Sequence, residues 1–97
     1  MLPKPDFTKP LKFGSVHTDY MLEIDHTTAN GWEKPLISPY HDFSINPMNS
    51  SLHYAIQLFE GMKAYKNNED IYLFRPELNM IRLNKSADRL ALPVTIN

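Results

Sequence analysis

The residues best suited to chemistry are three cationic side chains that recur near the end of the sequence. Arg82, Lys85 and Arg89 are three and four positions apart, so in a helix they share one side. Arginine can bind a phosphate dianion through two parallel hydrogen bonds, and lysine supplies a point charge. No other cationic face in the sequence could hold a phosphate. An ordinary solvated helix face has the same pattern, so the spacing alone leaves both interpretations open.

Other kinds of reactive site find little support in the sequence. The three glycines, Gly14, Gly31 and Gly61, are too far apart to form a glycine-rich phosphate loop. The chain contains no cysteine, which excludes a thiolate nucleophile and a disulfide framework. Its four histidines show no helical ligand spacing, and we expect no metal site. They are His17, His26, His41 and His53.

Lysines and carboxylates give no catalytic group either. A lysine attacks a carbonyl group only where desolvation or a neighbouring cation lowers its pKa. Lys63 and Lys66 are three apart in a segment typical of a strand, so they point to opposite faces. Asp19, Glu23 and Asp25 fit a solvated strand edge and form no acid and base pair. We therefore predict no catalytic residue within this chain.

Length and charge limit the possible functions. The 97 residues allow one domain, and a hydrophobic content of 42% predicts a modest core. Ten basic and eleven acidic residues give a net charge of −1, so we expect neither nucleic acid nor an anionic membrane as a partner. No apolar run reaches membrane-spanning length, and the first residues do not fit a targeting peptide. These features predict a cytoplasmic protein.

An apolar stripe in the middle of the chain predicts the first helix. Four residues lie at i, i+3, i+4 and i+7, which places them on one helix face. They are Leu52, Ala55, Ile56 and Phe59. Asn49 or Ser50 would cap the start of this helix. Gly61 would end it, because glycine adopts the left-handed backbone without a steric penalty.

Strand signals lie on both sides of this helix. Residues 18–25 predict a strand, and Asn30-Gly31 predicts a turn after it. Residues 34–45 contain two prolines, so they should form an edge strand or irregular chain. Residues 62–66 and 71–75 predict a hairpin about a four-residue polar turn.

A second helix should follow the hairpin. Pro76 suits its first turn, and we expect it to reach about Leu92, before Pro93. Its apolar side would contain Met80, Leu83, Ala87, Leu90 and Ala91. The irregular order of strands and helices predicts an α+β fold rather than a doubly wound sheet. We expect residues 1–12 to be an extended segment and residues 13–97 to form the domain.

Several motifs occur in an order that matches a known enzyme family. They are Phe13-Gly14, Thr18-Asp19-Tyr20-Met21-Leu22, Gly31-Trp32-Glu33-Lys34-Pro35, Leu52-His53-Tyr54, Phe59-Glu60-Gly61-Met62-Lys63-Ala64, Leu73-Phe74-Arg75-Pro76, and Leu78-Asn79-Met80 followed by Arg82. From Phe13 to Val94 the chain resembles the N-terminal portion of branched-chain amino acid aminotransferases, which are pyridoxal-phosphate enzymes of fold type IV. The resemblance implies the small α+β domain of that fold, a mostly antiparallel sheet with two helices.

The resemblance also implies a function. Enzymes of this family transfer the amino group of leucine, isoleucine or valine to 2-oxoglutarate, with pyridoxal phosphate as cofactor, and they form homodimers. Arg82 matches the arginine that contacts the cofactor phosphate, whereas the other two cations of the stripe remain a solvated face. Phe13, Tyr54 and Phe59 match residues that line the pocket for the branched side chain. An apolar wall discriminates aliphatic groups by about 1–3 kcal/mol per methylene.

Two features depart from the family pattern. Ile81 precedes Arg82, where the family usually has an acidic residue. The lysine that carries the cofactor and the carboxylate that holds its pyridine nitrogen are expected in a second domain, beyond these residues. We therefore expect the isolated chain to be inactive. A second hypothesis is a short non-catalytic product that associates with a full-length subunit.

Overall fold

The computed structural model describes residues 4–6 and 8–92. The chain divides between Ser44 and Ile45 into two compact units, each of which is described by itself. The predicted extended segment 1–12 lies partly outside the described residues. Its described part contains a turn, in which the Lys9 N–H donates to the Asp6 carbonyl at 3.3 Å, and neither a helix nor a strand.

The first unit contains four short strands, β1 (Tyr20–Glu23), β2 (His26–Thr27), β3 (Gly31–Trp32) and β4 (Leu36–Pro39). β1 pairs antiparallel with β4, and β2 pairs antiparallel with β3. The first strand and the Asn30-Gly31 turn are confirmed, and Gly31 has the positive φ, 72°, that favours glycine at such a position. β4 has β1 as its only strand partner in the described chain, which agrees with the edge strand that its prolines predict.

A polar cluster joins the two strands of the longer pair. The Ser38 hydroxyl donates to Glu23 Oε2 at 2.6 Å, and His41 Nε2 lies 3.1 Å from the same oxygen. The bonds from Ser38 and His41 favour the charged carboxylate and lower the pKa of Glu23. His41 Nδ1 lies 2.8 Å from the Asp42 carbonyl, and this contact, followed by that to Glu23, raises the pKa of His41.

The second unit begins with a helix that is shorter than predicted. α1 runs over Ser50–Tyr54, and Asn49 caps it by accepting a hydrogen bond from the backbone N–H two residues later at 2.8 Å. Ala55 has a φ of 53° and ends the helix in the left-handed conformation. The prediction that this helix reaches Phe59 and stops at Gly61 is therefore wrong.

The apolar stripe behind that prediction is not packed. Leu52 and Phe59 are exposed, Phe59 to 92%. Short helices depend on tertiary packing of their apolar face, so the periodic residues alone do not sustain a longer one. Hydrogen bonds close the chain instead after one turn: the Ser51 hydroxyl donates to the Ile56 carbonyl at 2.8 Å, and the Ala55 N–H donates to the Ser50 carbonyl.

The predicted hairpin and second helix are both confirmed. β5 (Ala64–Asn67) and β6 (Asp70–Leu73) pair antiparallel, with a tighter turn than expected because only two residues connect them. α2 covers Pro76–Arg89 and is preceded by Arg75, whose φ of 50° is left-handed. The helix ends before the predicted Leu92. Pro93, which we expected to follow it, lies outside the described residues.

Little of the predicted core forms within the described part of the chain. There, Ala87 is the only buried apolar residue, and Asn79, 8% exposed, is the only buried polar one. Met80 and Leu83, which the helix periodicity places beside Ala87, are half-buried, and Leu90 is exposed. The modest core that the hydrophobic content predicts is therefore not found in residues 4–6 and 8–92.

The described elements confirm the α+β fold class. They comprise two helices and three two-stranded sheets, and all three pairs are antiparallel. The single domain over residues 13–97 stays a prediction. Neither helix of the described chain is long and apolar enough to cross a membrane.

The left-handed end of α1 gives a first testable prediction. Ala55→Gly should raise the free energy of unfolding by about 0.5–1 kcal/mol, because the left-handed penalty of about 1–2 kcal/mol outweighs the entropy that glycine adds to the unfolded chain. Urea denaturation of the native protein measures this. Ala64→Gly, in β5, is the matched control and should destabilise. A helix continuing to Phe59 would instead make Ala55→Gly destabilising by about 1 kcal/mol.

The polar cluster of the first unit predicts a pH-dependent contribution to stability. Glu23, with a lowered pKa, contributes fully above its ordinary value of 4.5 and loses this as pH falls through the lowered value. His41, with a raised pKa, contributes fully below 6.5 and loses this as pH rises through the raised value. The stability difference between the native protein and His41→Gln should therefore be greatest at about pH 4.5–6.5.

The measurement is urea denaturation at a series of pH values. His53→Gln, which alters an exposed histidine of the second unit, is the control and should change stability less than His41→Gln does. A His41→Gln difference that does not vary with pH would show that the cluster does not titrate as described.

Candidate functional site

The second unit contains a cleft of about 250 Å³. Its walls come from the hairpin, the residues next to it and the first two turns of α2. The lining residues are Lys63, Tyr65, Phe74, Arg75, Leu78, Asn79 and Arg82. Three of these seven are cations and three are aromatic or aliphatic, so the cleft combines positive charge with apolar walls.

Arg82 is held by the carboxylate of Glu60. Its Nε donates to Glu60 Oε2 at 3.1 Å and its Nη2 donates to Glu60 Oε1 at 2.5 Å, a two-pronged ion pair. The Glu60 side chain is only 15% exposed, whereas that of Arg82 is 56% exposed. The pair therefore joins a largely covered carboxylate to a guanidinium that still reaches solvent at the cleft.

Asn79 fixes the same carboxylate from a second position. Its side-chain amide donates to Glu60 Oε1 at 3.1 Å and to the Gly61 carbonyl at 2.6 Å. Asn79 and Arg82 are three residues apart on α2, so their side chains lie on one side of the helix. Glu60 thus accepts hydrogen bonds from two neighbouring positions of α2.

These contacts also set the charge state of the pair. The Arg82 hydrogen bonds, assisted by the one from Asn79, lower the pKa of Glu60 against the opposing effect of burial. The Glu60 carboxylate in turn raises the pKa of Arg82. Both groups are therefore charged at neutral pH, and the pair is an ion pair over the whole physiological range.

The remaining cations give the cleft a surplus of positive charge. Lys63 and Arg75 line it beside Arg82. Arg75 lies 3.9 Å from the Glu77 carboxylate, an exposed pair that is weak because solvent screens it. An anion such as a phosphate is the ligand that this arrangement suits.

The structure separates the residues that the sequence grouped. Arg82 lines the cleft, whereas Lys85 and Arg89 are exposed on α2 outside it. Tyr54 and Phe59 belong to the same unit as the cleft but do not line it. Their side chains and that of Phe13, in the first unit, are strongly exposed, and the substrate-pocket role of these three residues stays a prediction.

Comparison with known proteins finds relatives over nearly the whole chain. A mitochondrial branched-chain-amino-acid aminotransferase of Bos taurus is 48% identical over 91 residues, which cover 93% of this chain and 23% of the relative. A cytosolic one of Mus musculus is 48% identical over 93 residues, which cover 95% of this chain and 23% of the relative. A cytosolic one of Saccharomyces cerevisiae is 48% identical over 92 residues, which cover 94% of this chain and 24% of the relative. Over nearly its whole length, the chain is therefore similar to part of the branched-chain-amino-acid aminotransferases.

This result confirms the resemblance that the ordered motifs indicate. The chain spans about a quarter of the length of these relatives, which is consistent with an N-terminal portion of an aminotransferase. No protein-family model matches the chain. Groups of histidine, aspartate and glutamate that could hold a metal ion are absent from the described residues.

Sequence reasoning missed the contribution of Glu60 and Asn79. Glu60 lies 22 residues before Arg82 in an irregular segment, where no periodicity connects the two. The available signal was the motif itself, since Glu60 and Asn79 both occur among the residues that carry the family resemblance.

The buried amide gives a prediction about stability. Asn79→Ala should lower the free energy of unfolding by about 1–3 kcal/mol, because the Gly61 carbonyl and the Glu60 carboxylate lose a donor in a partly buried site. Urea denaturation measures the loss. Lys85→Ala, on the exposed side of the same helix, is the control and should change stability by about 0.5 kcal/mol or less. Equal effects of the two variants would contradict the assignment.

Proposed function

We propose that the native protein containing this chain is a pyridoxal-phosphate-dependent aminotransferase. It transfers the amino group of leucine, isoleucine or valine to 2-oxoglutarate. The observation that carries this proposal is the 48% identity, over more than nine-tenths of the chain, to relatives named branched-chain-amino-acid aminotransferases. The cationic cleft of the second unit adds a place for the phosphate of the cofactor.

The residues of the cleft fit a phosphate group. Nε and Nη2 of Arg82 engage Glu60, and Nη1 makes no hydrogen bond within residues 4–6 and 8–92. Lys63 and Arg75 line the same cleft and add positive charge. We therefore propose that Arg82 donates to the cofactor phosphate through Nη1, while Lys63 and Arg75 raise the local potential that attracts it.

Pyridoxal phosphate, when bound, supplies the carbonyl chemistry by which an amino group leaves one substrate and reaches the next. The described residues contribute binding and orientation. Arg82 would hold one end of the cofactor, and fixing that end limits the positions that the reactive end can take. We assign no nucleophile and no general base among the described residues.

Phe13, Tyr54 and Phe59 are our candidates for the wall that receives the branched side chain. Each is strongly exposed, so each presents an aromatic face that an aliphatic group can cover. Such a wall selects by apolar contact and shape, at about 1–3 kcal/mol per methylene. The Tyr54 hydroxyl adds a polar group that could bond to the substrate.

We further propose that the protein is a homodimer in the cytoplasm and that its ligands are branched-chain amino acids and 2-oxo acids. Relatives named cytosolic support the location, and relatives named mitochondrial also occur. The net charge of −1 gives no reason to propose nucleic acid or a membrane as a partner.

The test is a titration of the native full-length apoprotein with pyridoxal phosphate, in the presence of leucine and 2-oxoglutarate. We expect glutamate to form only when the cofactor is added, and to form more slowly when alanine replaces leucine. Arg82→Ala should raise the Kd for pyridoxal phosphate about tenfold or more, because a charge-assisted contact to phosphate is lost. The Kd for pyridoxal, which lacks the phosphate, should stay nearly unchanged.

Arg89→Ala is the matched control, since Arg89 is exposed on the same helix and lies outside the cleft. Its cofactor affinity should equal that of the native protein. If no branched-chain amino acid yields glutamate, the proposed activity is wrong. If Arg82→Ala binds pyridoxal phosphate as tightly as Arg89→Ala does, the phosphate contact is wrong.

A further inference from the structure

We propose that Glu60 is a positioning residue for the cofactor site, acting through Arg82. The inference rests on the proposed function, in which Arg82 contacts the cofactor phosphate. Glu60 itself would not touch the phosphate, because both groups are negatively charged. Its role is to fix the guanidinium so that one edge stays available to the ligand.

The geometry of the ion pair supports this role. Both oxygens of Glu60 accept from Arg82, one from Nε and one from Nη2. Two parallel bonds define the plane and the direction of a guanidinium, which a single bond would not do. Nη1 then forms the edge that is left for an anion.

The carboxylate is itself held in place. Asn79, which is 8% exposed, donates to Glu60 and to the neighbouring Gly61 carbonyl, so the end of the Glu60 side chain and its adjacent backbone share one donor. Asn79 belongs to α2, as Arg82 does. Glu60, which fixes Arg82, is therefore itself held by a residue of the helix that carries Arg82.

Two effects of Glu60 on phosphate binding oppose each other. Its negative charge reduces the potential of the cleft, so removing it would strengthen the attraction of an anion. Its hydrogen bonds hold a side chain that is otherwise 56% exposed, and their loss would leave the guanidinium free to move in solvent. The guanidinium reaches solvent, which screens the effect of the Glu60 charge on an anion there, whereas a directed bond to phosphate requires orientation. The proposal is that orientation is the larger effect.

The first experiment compares Glu60→Gln with the native full-length protein, using equilibrium titration with pyridoxal phosphate and with pyridoxal. Glutamine keeps the size of the side chain but places an N–H group opposite one of the Arg82 donors. We expect the Kd for pyridoxal phosphate to rise about tenfold and that for pyridoxal to stay nearly constant. An unchanged or lower Kd for pyridoxal phosphate would overturn the proposal, since the charge effect would then dominate.

The second experiment repeats the substitution in an Arg82→Ala background. A positioning role predicts that Glu60→Gln has almost no further effect there, because the group that it positions is absent. If Glu60→Gln weakens the binding of pyridoxal phosphate equally in the native and Arg82→Ala backgrounds, the proposal is overturned, since Glu60 would then support the fold of the site generally. Arg82→Ala alone tests the phosphate contact. If Arg82→Ala weakens the binding of pyridoxal phosphate and Glu60→Gln does not, only the positioning role is rejected.

Glu60→Asp provides a second variant, which keeps the charge and shortens the side chain by one methylene. If orientation matters, the shorter carboxylate should weaken binding of pyridoxal phosphate relative to pyridoxal, as Glu60→Gln does. If native affinity is retained with aspartate, the charge at this position suffices and the two-pronged geometry is not required. That outcome would reject the proposal even where Glu60→Gln fails to fold.

Discussion

The hydrogen bonds of the Glu60 carboxylate connect the irregular chain after α1 to the first two turns of α2. Asn79 and Arg82 both donate to this carboxylate, and Asn79 also binds the Gly61 carbonyl. Apolar packing contributes little at this point, because Ala87 is the only buried apolar residue in the described chain. The position of α2 against the segment before β5, and with it one wall of the cleft, therefore depends on polar contacts.

The structure also shows which features could be read from the sequence. The hairpin, the second helix and the cap of α1 depend on residues close together in the chain; the first two were predicted, and Asn49 was one of two candidates for the cap. The end of α1 was not predicted, because an apolar stripe indicates which residues share a helix face but not whether other residues pack against that face. The ion pair between Glu60 and Arg82 was missed for a different reason: the two residues are 22 positions apart, and no local pattern links them.

Both units expose large aromatic and aliphatic side chains. Phe13, Met48, Phe59 and Phe74 are each more than three-quarters exposed. Large apolar side chains exposed to this degree are typical of surface that other protein covers. The chain spans about a quarter of the length of its relatives. Arg82, in contrast to these exposed apolar side chains, has a partner that the structure shows, because its hydrogen bonds to Glu60 lie within the second unit.

The strand pairing has a consequence for handling the protein. In the described residues each sheet has two strands, so each strand has one edge whose backbone groups lack a neighbouring strand. Such edges are templates that accept another extended segment, from the same chain or from another molecule. β1, β5 and β6 carry one charged residue each, Glu23, Lys66 and Asp70, and such charges oppose uncontrolled pairing. A second extended segment that pairs with one of these edges would satisfy its backbone groups, so the edges are places where two copies of the polypeptide could join.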